Sequence, residues 1–190
     1  SGLIVGILAV LLLLGLSPQP AQAVIDGIPP DGSNTFTLVA KQDYISSPDS
    51  DSILMWGYAN GGNPMQYPGP TLIIQQGTTV TVNLVNELPV AHQQNVSIVF
   101  PGHVVDTSTS DAGAIDGAIT KEAPPDGTTV ARYTFTATHP GTFMYKSGTR
   151  PDLQVEMGLV GAIIVRPNKN SVEDDRAHTD WTHYAYNHDD

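Results

Sequence analysis

Short runs of alternating apolar and polar residues, each closed by proline or glycine, constrain this chain most. Residues 78–84 place Val80, Val82 and Leu84 on one face and Thr79, Thr81 and Asn83 on the other. That period of two is the signature of a half-buried strand. Further strand candidates lie at 35–40, 53–56, 71–74, 95–100, 128–137, 142–145 and 159–165. Turn chemistry bounds them: Pro68-Gly69-Pro70, Gln76-Gly77, Pro101-Gly102, Pro125-Asp126-Gly127, His139-Pro140-Gly141 and Arg166-Pro167. Such spacing, with no helical period between the runs, predicts an all-β antiparallel sandwich or barrel. Residues 108–118 are small and Gly-rich and read as a long loop. Trp56, Tyr58 and Tyr67 together read as core and rim of the sandwich.

Composition narrows the function classes. With 190 residues there is room for one ordinary domain plus tails. Eight Lys plus Arg against 19 Asp plus Glu give a net charge of -11, which excludes an electrostatic nucleic-acid binder. The chain has no cysteine. Disulfides, iron–sulfur clusters, Cys-based zinc sites, thiol catalysis and thiolate blue-copper centres are thereby excluded. No Gly-x-Ser-x-Gly, phosphate-cradling Gly loop or His-Glu-x-x-His is present either.

The two ends differ from the middle. Residues 3–16 are an uncharged apolar run followed by Ser17-Pro18-Gln19-Pro20 and Ala21-Gln22-Ala23. This pattern predicts a partial secretory signal peptide over 1–23, cleaved before Val24, leaving no stable membrane span. A run this short falls below the ~20 residues needed to cross a bilayer. Secretion without disulfides suits a bacterial periplasm or outer surface. Residues 24–167 form the predicted domain. The stretch 168–190 is acidic and poor in aliphatics, with His178, His183 and His188 five residues apart. That spacing fits one face of neither a helix nor a strand, so it reads as an exposed linker or tail leading to a further domain.

The sequence resembles the first cupredoxin (plastocyanin-like) domain of multicopper oxidases and copper nitrite reductases. The resemblance rests on Pro68-Gly69-Pro70-Thr71-Leu72, on the block from Gln76-Gly77 to Asn86, and on Thr134-Phe135-Thr136-Ala137. It continues through Pro140-Gly141-Thr142-Phe143-Met144-Tyr145 and from Gly158-Leu159 to Arg166-Pro167. It runs from about residue 35 to 167 and implies a Greek-key antiparallel β-sandwich. In that family two or three such domains share copper sites at their interfaces.

The ligand positions depart from the family pattern. Where multicopper oxidases read Ser-Ile-His-Trp-His-Gly, this chain has Ser97-Ile98-Val99-Phe100-Pro101-Gly102. Where they read Tyr-His-Ser-His, it has Tyr145-Lys146-Ser147-Gly148. The four imidazole positions are thus Val99, Pro101, Lys146 and Gly148. Val, Pro and Gly side chains cannot coordinate copper, and a neutral-pH Lys is a cation. The His, Cys and Met of the nitrite-reductase site correspond to Pro101, Ser147 and Leu159. We therefore expect no catalytic residue and no family-type copper here, although copper is the family's cofactor.

Remaining candidates are weaker. His92, His103 and His139 are single imidazoles in or beside turns, without His-x-His spacing. A surface histidine is the simplest account of each; His103 is the most open to a metal role, because its loop leaves the ligand strand. Asp111, Asp116, Lys121 and Glu122 could form a polar site but read as solvated loop charges. Lys146 is exposed or in a structural ion pair, with Glu156 or Asp152 as partners. Asn95-Val96-Ser97 is a sequon that a bacterial origin would make incidental.

Three functional readings follow. The chain is the first, non-ligating domain of a secreted multicopper oxidase-type oxidoreductase whose coppers lie in other domains. Alternatively, it is a copper-free cupredoxin scaffold serving as a secreted binding or assembly module. In the third, His103 and a neighbour form a remodelled mononuclear metal site. The expected partners are further cupredoxin domains of the same polypeptide or a homo-oligomer. Neither nucleic acid nor membrane is expected among them.

Overall fold

A computed structural model describes residues 27–46, 51–92 and 94–168. The predicted signal and the histidine-bearing tail lie outside these residues. The strands are β1 (Thr35–Ser46), β2 (Ser52–Asn60), β3 (Gly69–Gln75), β4 (Thr79–Asn86), β5 (Ile115–Asp116), β6 (Lys121–Glu122), β7 (Ala131–Thr136), β8 (Gly141–Lys146) and β9 (Val160–Arg166). A single turn of helix, α1 (Pro151–Gln154), separates β8 from β9. No helix among the described residues is long and apolar enough to cross a membrane.

Two sheets form the sandwich, ordered β2-β1-β4-β7 and β3-β9-β8. Alternation explains which side chains face inward. Val80, Val82 and Leu84 of β4 are buried, while Thr79, Thr81 and Asn83 turn outward. Thr79 and Thr81 meet Thr136 and Thr134 of β7 hydroxyl to hydroxyl, at 2.8 and 3.0 Å. Leu38, Val82, Tyr133 and Phe135 from the first sheet pack on Leu72, Ile74, Tyr145 and Ile163 from the second.

The sheets are mixed. β1–β2, β4–β7 and β8–β9 pair antiparallel, whereas β1–β4 and β3–β9 pair parallel. Chain crossing explains the parallel pairs. After β2 the chain passes to the other sheet as β3 before returning as β4, so β4 re-enters beside β1 in the same direction.

Two local expectations are revised. The loop at 108–118 contains β5, which pairs with β6 as a two-residue hairpin. The stretch 95–100 forms no ladder; it bridges Ala123 through Val96 and Lys146 through Val99. Each end therefore bonds a different partner, and no sustained register develops. In the second bridge Val99 N–H donates to the Lys146 carbonyl at 2.8 Å. Two further bonds fix the stretch: Ile98 N–H donates to the Tyr133 hydroxyl at 3.2 Å, and the Tyr58 hydroxyl to the Ser97 carbonyl at 3.4 Å.

Candidate functional site

The fold brings three of the four sequence-singled positions together. The bridge aligns Val99 with Lys146 at the open edge of β8. Two residues on, a Cβ built on Gly148 would lie 2.6 Å from Val99 Cγ1 and 3.1 Å from Ser97 Oγ. The Val99 side chain thus occupies the space over the Gly148 backbone that any larger residue there would need. Pro101 is the corner of a turn: His103 N–H donates to the Phe100 carbonyl at 3.1 Å, and Gly102 takes φ +91°. Pro at the first corner and a left-handed Gly at the second is the type II pattern.

A polar network lies beside this apolar contact. The Thr149 hydroxyl donates to Glu122 Oε1 at 2.8 Å and accepts from Ser97 Oγ at 2.9 Å. Asn95 Nδ2 donates to the second Glu122 oxygen at 3.1 Å. The Ser147 hydroxyl donates to Gln154 Oε1 at 2.6 Å, and Gln154 Nε2 donates to the Asn95 carbonyl at 2.8 Å. Ser97, Ser147 and Gln154 are fully buried. The network ties 95–97, β6, the end of β8 and α1 together with every named oxygen partnered, as burial demands. Ser97 lies inside it, so the sequon hydroxyl is not at the surface.

The loop charges do not converge. Asp111 pairs with Arg132, whose hydrogen bond holds its carboxyl below the usual range, and Lys121 pairs with Asp116 at 2.6 Å. Asp126 accepts from Thr128 and Thr129, chiefly from the Thr129 hydroxyl, and is held down to about 2. Each of these carboxylates serves a turn or a local pair rather than one site. Among the described residues no ion pair joins Lys146 to Glu156 or Asp152; Asp152 lies 3.8 Å from Arg150 instead.

The histidines also separate. His139 is exposed, with Nδ1 2.9 Å from the Thr138 hydroxyl. The His92 side chain lies outside the described residues. His103 differs from the surface histidine expected. Its ring stands edge-on between Phe135 and Phe143, at centroid distances of 4.6 and 4.7 Å. Both its ring nitrogens are buried without a hydrogen-bond partner, and burial lowers its pKa. Among the described residues no three His, Cys, Asp or Glu side chains gather in a metal-binding group. A cavity of about 280 Å³ adjoins the ring, lined by Val99, Pro101, His103, Val105 and Ile119 among others. Sequence reasoning missed the packing of the His103 ring and the Glu122–Thr149 network, because each is assembled from segments remote in the chain.

Two facing sheets of mixed pairing form the β-sandwich, and cupredoxin-like solved structures share it. A multicopper oxidase from Pseudomonas thermotolerans superposes with a TM-score of 0.56 at 19% identity, covering 77% of this chain and 32% of that one. A copper nitrite reductase from Nitrosomonas europaea does so with a TM-score of 0.54 at 21% identity, covering 80% and 45%. In sequence, the multicopper oxidase family model matches residues 52–170. An L-ascorbate oxidase from Cucurbita maxima is 32% identical over 148 residues, or 77% of this chain. A multicopper oxidase from Talaromyces pinophilus is 33% identical over 105 residues, or 55% of this chain. The chain belongs to the multicopper oxidase family. It spans 23% and 16% of the length of those two relatives.

Proposed function

We propose that this chain is the first, non-ligating cupredoxin domain of a secreted or periplasmic multicopper oxidase-type oxidoreductase. In this reading the coppers are held by other cupredoxin domains of the polypeptide or by a symmetry-related copy. The parent protein takes electrons from a reduced substrate at copper and passes them to oxygen or nitrite. This domain supplies packing and interface rather than chemistry.

The supporting observation is the contact of Val99 with Gly148. Copper requires neutral imidazoles or comparable donors a few ångströms apart. At the matching positions stand two side chains without donors, a glycine and a lysine, and Val99 Cγ1 fills the room a histidine at position 148 would need. The donor set does not fit the family's copper. His103 offers no substitute: its ring packs against Phe135 and Phe143, neither nitrogen has a hydrogen-bond partner, and no metal-binding group gathers around it among the described residues.

The test is copper retention by the full chain. After loading with Cu(II) and desalting, metal analysis should find well under one equivalent and no intense blue band. Stoichiometric copper that is lost in His103→Ala would overturn the non-ligating reading in favour of a remodelled site. Amino-terminal sequencing of the exported protein should begin at Val24; retention of residues 3–16 would overturn the secretory assignment.

The copper-free binding-module reading has one observation of its own. Val104 and Ile119, beside the cavity, are 94% and 69% exposed. A reading frame without a following copper-ligating domain would favour it.

A further inference from the structure

His103 is half-buried, and both of its ring nitrogens lie buried where their chemistry is not satisfied. Among the described residues, its two ring nitrogens and Asn83 Oδ1 are the buried side-chain polar atoms lacking a partner. An unpaired buried donor or acceptor opposes folding and calls for a specific explanation. The ring's position supplies one. Phe135 belongs to β7 of the first sheet and Phe143 to β8 of the second, so His103 is wedged into the seam between the two. It closes the tight Pro101-Gly102 turn, and a Cβ on Gly102 would sit 3.1 Å from the Phe143 ring. The next residue, Val104, is almost fully exposed. An imidazole with buried nitrogens next to an exposed valine reverses the ordinary preference of these side chains.

We propose that residues 100–105 form a proton-operated latch: neutral His103 sits in the seam between Phe135 and Phe143, and protonation drives it into solvent. Leaving the seam would unlock β7 from β8 at that edge and join the emptied slot to the adjoining cavity. The imidazolium carries two N–H donors, and neither ring nitrogen has a hydrogen-bond partner there. Burial already disfavours the charged form.

No charged neighbour offsets this. On β7, Thr134 and Thr136 flank Phe135, and Arg132 is engaged by Asp111. On β8, Lys146 is the charged residue, and it is a cation. In the segment after His103, Asp106 is occupied by the Ser108 backbone and hydroxyl. Across the cavity, Thr120 is uncharged and Lys121 pairs with Asp116. At the β7–β8 turn, His139 faces Thr138. None of these bonds to the ring of His103.

The experiment is a histidine and aromatic NMR titration of the full chain between about pH 7.5 and about pH 4.5, spanning the ordinary imidazole range. His103→Phe assigns the resonance. His103 should titrate below the ordinary imidazole midpoint. The Phe135 and Phe143 ring signals and the Gly102 amide should shift with the same midpoint, and ring-to-ring cross-relaxation should vanish on protonation. Amide exchange across 100–105, corrected for intrinsic pH dependence, should rise about tenfold on protonation if the turn opens as a local unit. Titration at the ordinary midpoint without movement of the Phe signals would sink the latch. So would protonation with both Phe contacts intact. Should His103→Phe not fold, selective histidine labelling of the wild-type chain gives the same readouts.

Discussion

Two ends of the aromatic cluster between the sheets, linked through Phe100, treat buried polarity in opposite ways. Tyr58, Tyr133 and Tyr145 are completely buried, with ring centroids of Tyr58 and Tyr145 5.4 Å apart. Burial raises the pKa of all three, keeping them neutral. Each phenol donates to a main-chain carbonyl: Tyr145 to Pro70 at 2.7 Å, Tyr133 to Lys121 at 2.6 Å and Tyr58 to Ser97 at 3.4 Å. His103 is held by rings alone, with no such bond. A tyrosine places its polar atom at the far end of an apolar body, where it can reach loop backbone across a packed core. An imidazole between two rings cannot reach in the same way. The tyrosines therefore anchor the sandwich and the 97–101 segment, while His103 marks an edge that can yield.

The largest test concerns the anchored side. Tyr145→Ala should cost about 3–5 kcal/mol, the range for removing a buried aromatic, read as a lower urea midpoint. Tyr145→Phe should cost about 1–3 kcal/mol, because the Pro70 carbonyl loses its donor while the ring remains. Equal stability of Tyr145→Phe and wild type would remove the contrast with His103. Next comes the Val99–Gly148 contact. Gly148→Ala should cost about 1–3 kcal/mol by overpacking. Combined with Val99→Ala, part of that loss should return; strictly additive costs would show that the two do not share the space.

These contacts separate what the sequence conveyed from what it did not. β4 was readable throughout, since its alternation maps directly onto burial and its bounding Gln76-Gly77 turn is local. The aromatics expected as core and rim divide accordingly, with Trp56 and Tyr58 buried and Tyr67 half exposed. The family blocks also carried the sandwich. The segment 95–100 looked like a strand because its residues suit one, yet pairing depends on partners at 123 and 146 that no local pattern reveals. Val99 and Gly148 could be read as missing ligands, but their mutual contact could not. His103 misled most. Turn position suggests exposure, whereas Phe135 and Phe143 arrive from distant strands of opposite sheets. A Pro-Gly pair that sets His103 and Val104 on opposite sides of an extended stretch was the available hint.

A smaller effect is expected in the network beside the vacated positions. Thr149→Val keeps the shape but removes the hydroxyl joining Ser97 to Glu122, and should cost about 1–2 kcal/mol. Thr149→Ser should restore most of it in the same unfolding assay. If both variants match wild type, the network does not brace this edge.

The smallest effect at neutral pH is His103→Leu, and its value lies in the sign of its pH dependence. At about pH 7 wild-type His103 is neutral, so the variant removes two unpaired nitrogens and keeps an apolar filling. Its stability should lie within about 1 kcal/mol of wild type, on the favourable side. The folded-state pKa of His103 lies below its ordinary 6.5. The unfolded chain therefore binds the proton first, and wild-type stability falls as pH drops through 6.5 toward the folded value. The leucine variant has no such proton to bind, so the gap between the two melting curves should widen between about pH 7 and about pH 5. Carboxylates do not confuse this window. Asp106 and Asp111 are held below their ordinary 3.8, and Asp126 down to about 2. Their stabilising contribution is present above that range and is lost only as pH falls through it. Parallel wild-type and variant curves from neutral to mildly acidic pH would mean that His103 is not the yielding side of the contrast.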